Sequence, residues 1–313
     1  MTSKNLIISW VILLSLMIVW GSSFILIKKS LDYFSPLEVG LLRVTITFLA
    51  LLPFALSRIK LADRRTTGYI IISGLTGSLV PAILFAIAQT QIDSGVAGTL
   101  NALTPLFTLI LGVSFFRLKT RLYNIIGVFV GLTGAVGLIY VSGDHGFVFN
   151  LKYAFLIILA TICYAFNVNL IKAYLNNLDA LSITVLTFFY LGIPLLVVIL
   201  FFTDIPHKLT TDPANFAGLG YLSVLAVVGT GIALVAFNKL IKMTSPVFAS
   251  SVTYMIPVVA ILWGVIDGEK FKPAYFFWFL LIIAGIVLVN ANPSRKYNVV
   301  WWLVSRRNKK EVK

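Results

Sequence analysis

The sequence predicts an all-α membrane protein of ten transmembrane helices, arranged as two inverted five-helix repeats. Three observations predict it. Of the 313 residues, 59% are hydrophobic and 12% charged, against about 25% charged in a soluble domain. A core of this length cannot absorb that apolar excess, whereas lipid can. The apolar residues also fall into ten runs, each near the ~20 residues that cross a hydrocarbon core. Finally, stretches of the first half recur in the second in the same order.

The runs lie at about 5–28, 36–57, 67–92, 94–116, 121–142, 150–175, 180–203, 216–241, 245–266 and 273–292. The first has no small-residue cleavage site before Lys28-Lys29, so it reads as a retained span rather than a cleaved signal. The net charge of +14 sits in short breaks between apolar runs, the pattern of membrane topology and not of a nucleic-acid surface. With the N-terminus inside, inner segments hold Arg58, Lys60, Arg64 and Arg65, then Arg117, Lys119 and Arg121, then Lys172, Lys239 and Lys242, and a basic tail. The outer segments hold only Lys28, Lys29, Lys152, Lys208, Lys270 and Lys272. This asymmetry predicts both termini in the cytoplasm, in a cell-membrane protein.

Residues 1–148 form the first repeat, 149–292 the second, and 293–313 a basic tail. In the tail, Val299–Val304 is too short to span; with Trp301 and Trp302 beside Arg306 and Arg307 it suits either a helix on an anionic leaflet or a disordered segment. Leu26-Ile27-Lys28 recurs as Leu170-Ile171-Lys172, with Trp20 matched by Tyr164. Ala97, Pro105, Gly112 and Val113 recur as Ala249, Pro257, Gly264 and Val265. An odd number of spans per half inverts the second half, an arrangement that lets two halves rock about a shared site.

The chain resembles the EamA-type, ten-span branch of the drug/metabolite transporter superfamily. The resemblance rests on Val19-Trp20-Gly21-Ser22-Ser23-Phe24, on Leu41-Leu42-Arg43, on Ser94-Gly95-Val96-Ala97 leading to Leu103-Thr104-Pro105-Leu106-Phe107, and on Ser245-Pro246-Val247-Phe248 leading to Ile256-Pro257. It covers about residues 6–292. It implies a central cavity lined mainly by spans 1, 3, 4, 6, 8 and 9, and transport, often export, of amino acids or other small metabolites. Many relatives have Gly-Glu where this chain has Arg117-Leu118-Lys119; the second half keeps Gly268-Glu269.

A path through lipid needs polar groups inside the spans. In span 4, Asn101, Thr104 and Thr108 form one helical stripe. Pro105 frees the carbonyl of Asn101, and Pro257 that of Thr253 beside Tyr254; Pro81 kinks span 3. Further candidates to bind substrate are Trp20 and Ser23 in span 1, Phe85 and Gln89 with Ser78 in span 3, Tyr164 and Asn167 in span 6, and Asn238 with Thr230 in span 8. Each has a second reading as polar glue between helices, at ~0.6 kcal/mol per bond, and Trp20 as a core aromatic. Asn169 points elsewhere, to a packing contact. Arg43, roughly 10 Å deep at ~1.5 Å per residue, either snorkels, pairs with Glu38, binds helix-end carbonyls or meets a substrate carboxylate.

Gly127 and Gly131 form a GxxxG motif, for packing within the chain or for a homodimer. Cys163 is the one cysteine, and His145 and His207 lie in loops, so neither a metal nor another cofactor is expected. No acidic residue lies deep in a span, which predicts a facilitator, an exchanger or weak proton coupling. The expected partners are a small-molecule substrate and the lipid bilayer, with no nucleic acid, in a monomer or homodimer. The enzyme class lacks HExxH, GxSxG and P-loop motifs. A channel fits kinked repeats less well, and a sugar or nucleotide-sugar carrier would need more cavity cations than Arg43.

Overall fold

The computed structural model describes residues 3–92, 94–142, 151–259 and 273–290, and all regular structure among them is helical. In chain order the apolar helices are α1 (Ser3–Ser30), α2 (Pro36–Ala55), α3 (Arg64–Ala88), the broken α4a (Ser94–Asn101) and α4b (Thr104–Phe116), α5 (Leu122–Ser142), α6 (Leu151–Tyr174), α7 (Ala180–Phe202), α8 (Asn215–Met243), α9 (Pro246–Val259) and α10 (Ala274–Asn290). Six of them, α1 to α3 and α6 to α8, are long and apolar enough to cross a membrane. The others are shorter apolar helices. Gly264, Val265, Gly268, Glu269 and the tail lie outside the described residues.

Short polar residues start the helices where the sequence leaves the apolar runs. Ser35 accepts from the Glu38 amide while Glu38 accepts from the Ser35 amide at 2.7 Å, a reciprocal cap with Pro36 in the first turn. Asp63 caps α3 through Thr66, Asp179 caps α7 through Ser182, and Ser245 caps α9 through Phe248. Burial pushes the Asp179 carboxyl up, but hydrogen bonds from the Ser182 hydroxyl and amide outweigh it and hold it below its ordinary value. At the end of α4b the chain turns at Arg117 with φ 53°, where a side chain is disfavoured.

The outer faces stay apolar. Phe202 is 78% exposed and Phe115 72%, acceptable only against lipid or another apolar surface. Where helices meet, small residues let backbones approach. Along α5, Gly127 and Gly134 face α10 while Gly131 faces the Tyr254 ring of α9, and a Cβ on Gly285 of α10 would lie 2.4 Å from the Gly131 amide nitrogen. The GxxxG face is therefore filled within the chain, which answers the choice the sequence left open. Helix α2 packs on α7 with Phe48 lying over Gly192. Around these two pairs, α1 packs on α8 while α3 and α4b pack on α6.

Two helix ends are tied by lysines. The Lys172 ammonium donates to the carbonyls of Ile241, Lys242 and Thr244 at 2.8–3.0 Å, capping α8. In return Lys242 donates to Asn176 at 2.6 Å and to Leu178 beyond the end of α6. Elsewhere Glu38 pairs with Lys208, 2.7 Å away on the short helix Ile205–Thr211. This removes Glu38 as a partner for Arg43.

Candidate functional site

Two of the long helices contain one wider π-helical stretch each, at Leu75–Leu79 in α3 and Val227–Ile232 in α8. Such a stretch leaves backbone groups without their ordinary helical partner, and it recurs at functional sites. In α3 it lies just before Pro81, whose ring clashes with an ordinary helical carbonyl at Gly77. In α8 no proline is present, and Gly229 and Gly231 give the freedom instead. The carbonyls around the α8 stretch are taken by side chains: Ala226 by the Thr47 hydroxyl at 2.9 Å, Leu225 by Thr230 at 3.0 Å, and Gly229 by the Trp20 indole at 2.9 Å.

Both wide turns face one central cavity. Its walls come from α1, α2, α3, α4, α6, α8 and α9. Of the residues singled out from the sequence, Trp20, Ser23, Phe85, Asn101, Thr104, Tyr164, Asn167 and Thr253 line it, as do Ser78 and Thr230. Arg43 lines it too. Its Nε donates to the Thr230 hydroxyl at 2.7 Å, and its guanidinium is close enough to Tyr164 to interact electrostatically. Among the described residues no aspartate or glutamate lines the cavity.

Three selected residues lie elsewhere, each for a physical reason. Tyr254 is fully buried with its hydroxyl on the Val128 carbonyl at 2.9 Å and its ring over Gly131. The chain winds as a 3₁₀ helix over Ser251–Met255. At three residues per turn Ser250 and Thr253 face the cavity together and Tyr254 turns toward α5. Asn238 donates to the Thr184 hydroxyl at 3.0 Å, gluing α8 to α7. Gln89, at the end of α3, donates to the Phe24 carbonyl at 3.2 Å.

The polar stripe of span 4 is interrupted as well. The helix breaks after Asn101 and restarts at Thr104 with Pro105 in its first turn. The Asn101 carbonyl is taken by the Thr104 hydroxyl at 2.7 Å and so is not free. Thr108 faces α6, where its carbonyl accepts from Asn169 at 3.0 Å. Pro257 follows the 3₁₀ turn in the same way as Pro105 follows its break. Sequence reasoning missed Ser250 and Phe237 as lining residues. Phe237 had a signal: it stands to Phe85 as Pro257 stands to Pro105.

Paired positions run through much of the lining, 144 residues apart for the first two pairs and 152 for the other four. Trp20 and Tyr164, Ser23 and Asn167, Gly77 and Gly229, Ser78 and Thr230, Phe85 and Phe237, and Asn101 and Thr253 all face the cavity as pairs. Contacts repeat with them. Trp20 packs on Phe237 with ring centroids 5.0 Å apart, and Tyr164 on Phe85 at 6.1 Å. A Cβ on Gly229 would meet Ser23, and one on Gly77 would meet Asn167. Arg43 breaks the pattern: its counterpart Thr187 is not in the wall.

Comparison with known proteins agrees with this architecture. The model of the EamA-like transporter family matches residues 6–140 and 151–291. The "Uncharacterized inner membrane transporter YedA" of Escherichia coli is 30% identical over 88% of this chain and 89% of its own. A "Probable terminal-alkyne amino-acid exporter" of Streptantibioticus cattleyicolor is 25% identical over 90% of this chain and 92% of its own. A solved crystal structure with 16% identity shares the fold, with a TM-score of 0.66 over 90% of this chain and 95% of that one. The chain is a multi-pass membrane protein and belongs to the EamA-like transporter family.

Proposed function

We propose that this protein is a secondary transporter that moves small metabolites, above all amino acids or related compounds, out of the cell by alternating access. The observation that carries the reading is the paired lining of the cavity. Two sets of residues in the same order, each with a wide turn and a broken helix, meet around one space. Two halves related in this way can expose a shared site to each side in turn by rocking. The two stretches matched by the family model support the same reading. In it, the ten apolar helices all span the bilayer as inverted five-helix repeats, divided near residue 148, with both termini cytoplasmic.

Substrate contact is assigned to Trp20, Ser23, Phe85, Asn101, Thr104, Tyr164, Asn167 and Thr253. The name of the Streptantibioticus relative supports amino acids as the first compounds to try. The test is uptake of a labelled amino-acid panel by proteoliposomes, wild type against Asn101→Ala and Tyr164→Phe. Saturable uptake of one class that both variants reduce at unchanged folding supports the reading. Uptake by wild type that neither variant alters would remove the cavity from the transport path. Absence of flux for amino acids and for a wider metabolite panel would remove transport itself.

A further inference from the structure

Among the described residues Arg43 is the one charged residue in the wall of the cavity, and no carboxylate pairs with it. Its Nε is spent on Thr230, while its two terminal nitrogens make no hydrogen bond among the described residues. Other polar groups around it have the same character. The side-chain oxygen of Asn167 accepts from Ser73 at 2.6 Å, whereas the Thr104 proton goes to the Asn101 carbonyl at 2.7 Å. The N–H groups of both amides make no hydrogen bond among the described residues. The Tyr164 hydroxyl has no hydrogen-bond partner among the described residues either. The polar wall thus holds a fixed positive charge and spare N–H donors, and the acceptors beside them are neutral oxygens.

An uncompensated guanidinium in an apolar surrounding is costly, and a ligand anion offsets that cost. Its planar fork matches a carboxylate with two parallel bonds. A ligand ammonium would meet no carboxylate here, only aromatic faces and neutral oxygens beside a fixed positive charge, so a cation is disfavoured and a zwitterion pays to desolvate its amine. The rest of the wall is aromatic and aliphatic, set by the Trp20–Phe237 and Phe85–Tyr164 pairs.

From this we infer that the substrate is a monoanion: an amphipathic carboxylic acid without a charged amine, its carboxylate held by Arg43 and its apolar body lying between the two aromatic pairs. The inference rests on the cavity being the transport site and names the class of compound that site selects. Within the metabolites related to amino acids, it favours deaminated or N-acylated acids over free amino acids.

The test is binding of four probes of similar size to the full-length protein in detergent, by calorimetry near neutral pH: phenylacetate, phenylacetamide, phenethylamine and phenylalanine. Wild type should bind phenylacetate about tenfold to a hundredfold more tightly than the neutral amide, the range expected for a charged hydrogen-bonded pair. It should bind the amine most weakly. Arg43→Gln should weaken phenylacetate binding far more than phenylacetamide binding, and so abolish the preference for acid over amide, and Arg43→Lys should restore part of it. A purely structural arginine would change both affinities together.

Equal or tighter binding of phenylalanine or phenethylamine by wild type, or binding of no probe, would overturn the inference. So would an unchanged acid preference in Arg43→Gln. If that variant does not fold, the wild-type ranking and Arg43→Lys still decide. Acid-selective binding without flux of any probe into proteoliposomes would instead sink the transport reading alone. Indiscriminate flux of all four would sink this inference and leave transport standing.

Discussion

Arg43 and Thr230 lie 187 residues apart in the chain and are joined by a hydrogen bond of 2.7 Å from Nε to Oγ1. Thr230 passes the interaction on, donating to the Leu225 carbonyl that the π-helical stretch of α8 releases. One turn along α2, the Thr47 hydroxyl reaches the neighbouring Ala226 carbonyl. A single face of α2 thereby stabilises the irregular backbone of α8, and the irregular backbone places Gly229 and Thr230 in the cavity wall. Structure and site are coupled here, because the groups that line the cavity also satisfy one another.

The threonines of this layer differ in a way that melting experiments can read. Thr47 is fully buried and bonded, whereas the hydroxyls of Thr45 and Thr187 are buried without a partner among the described residues. Valine keeps the shape and removes the hydroxyl. Thr47→Val removes the hydroxyl proton shared by the Ala226 and Arg43 carbonyls and is expected to cost about 1 kcal/mol. Thr187→Val removes an unsatisfied polar group and is expected to be neutral or to stabilise by up to ~1 kcal/mol. Thermal unfolding in one detergent compares them, and a loss in Thr187→Val equal to that in Thr47→Val would refute the contrast.

Glycines divide just as sharply. A Cβ on Gly285 would lie 2.4 Å from the Gly131 nitrogen and 2.5 Å from its Cα, and backbone cannot yield as a side chain does. Gly285→Ala should therefore force α5 and α10 apart at a cost of at least ~2 kcal/mol. Gly68, inside α3, has nothing within 4 Å of such a Cβ. Gly68→Ala should stabilise by roughly 1 kcal/mol through helix propensity. Melting temperatures that move in the same direction for both variants would contradict this picture.

Arg117 ends α4b in a conformation that favours glycine. It adopts φ 53° there, where its N–H and that of Leu118 reach the Gly112 carbonyl, the latter at 2.8 Å. A left-handed residue with a side chain costs about 1–2 kcal/mol, a cost glycine avoids. Arg117→Gly recovers that cost, and the greater freedom of glycine in the unfolded chain gives back about half of it. The expected net gain is ~0.5–1 kcal/mol, and Arg117→Val should lose stability in the same assay.

Composition and periodicity made the helical class legible, because an apolar run long enough to span has few alternatives. The Pro105–Pro257 spacing also brought Asn101 and Thr253 forward as partners. Winding could not be read in the same way. Tyr254 was selected as the neighbour of Thr253, whose carbonyl Pro257 was expected to free, and the local 3₁₀ winding turns it toward Gly131. Asn238 and Gln89 have the same polar character as Asn167, so the sequence does not say whether such an amide faces a cavity or a neighbouring helix. Arg43 was ambiguous because its alternatives depended on whether Glu38 was available, and only the position of Lys208 decides that.

The lysines at the ends of α6 and α8 make a last prediction. Lys172 holds the carbonyls of Ile241, Lys242 and Thr244, and Lys242 holds those of Asn176 and Leu178. The two cations repel one another; helix-end carbonyls hold both, and Asp179 offsets part of the charge of Lys242. Alternating access, as proposed above, requires one end of the molecule to open, and these bonds resist opening at this end. Lys172→Met keeps the length of the side chain and removes its charge and donors. It should lower stability by about 1.5–3 kcal/mol, the value of hydrogen bonds made by a charged group. It should also raise the labelling rate of a cysteine placed at the buried Leu178 in a Cys163→Ser background, while Lys172→Arg recovers part of both effects. If labelling stays slow while stability falls, the lysine is a helix cap alone; if neither changes, the tie between the two helix ends carries no weight.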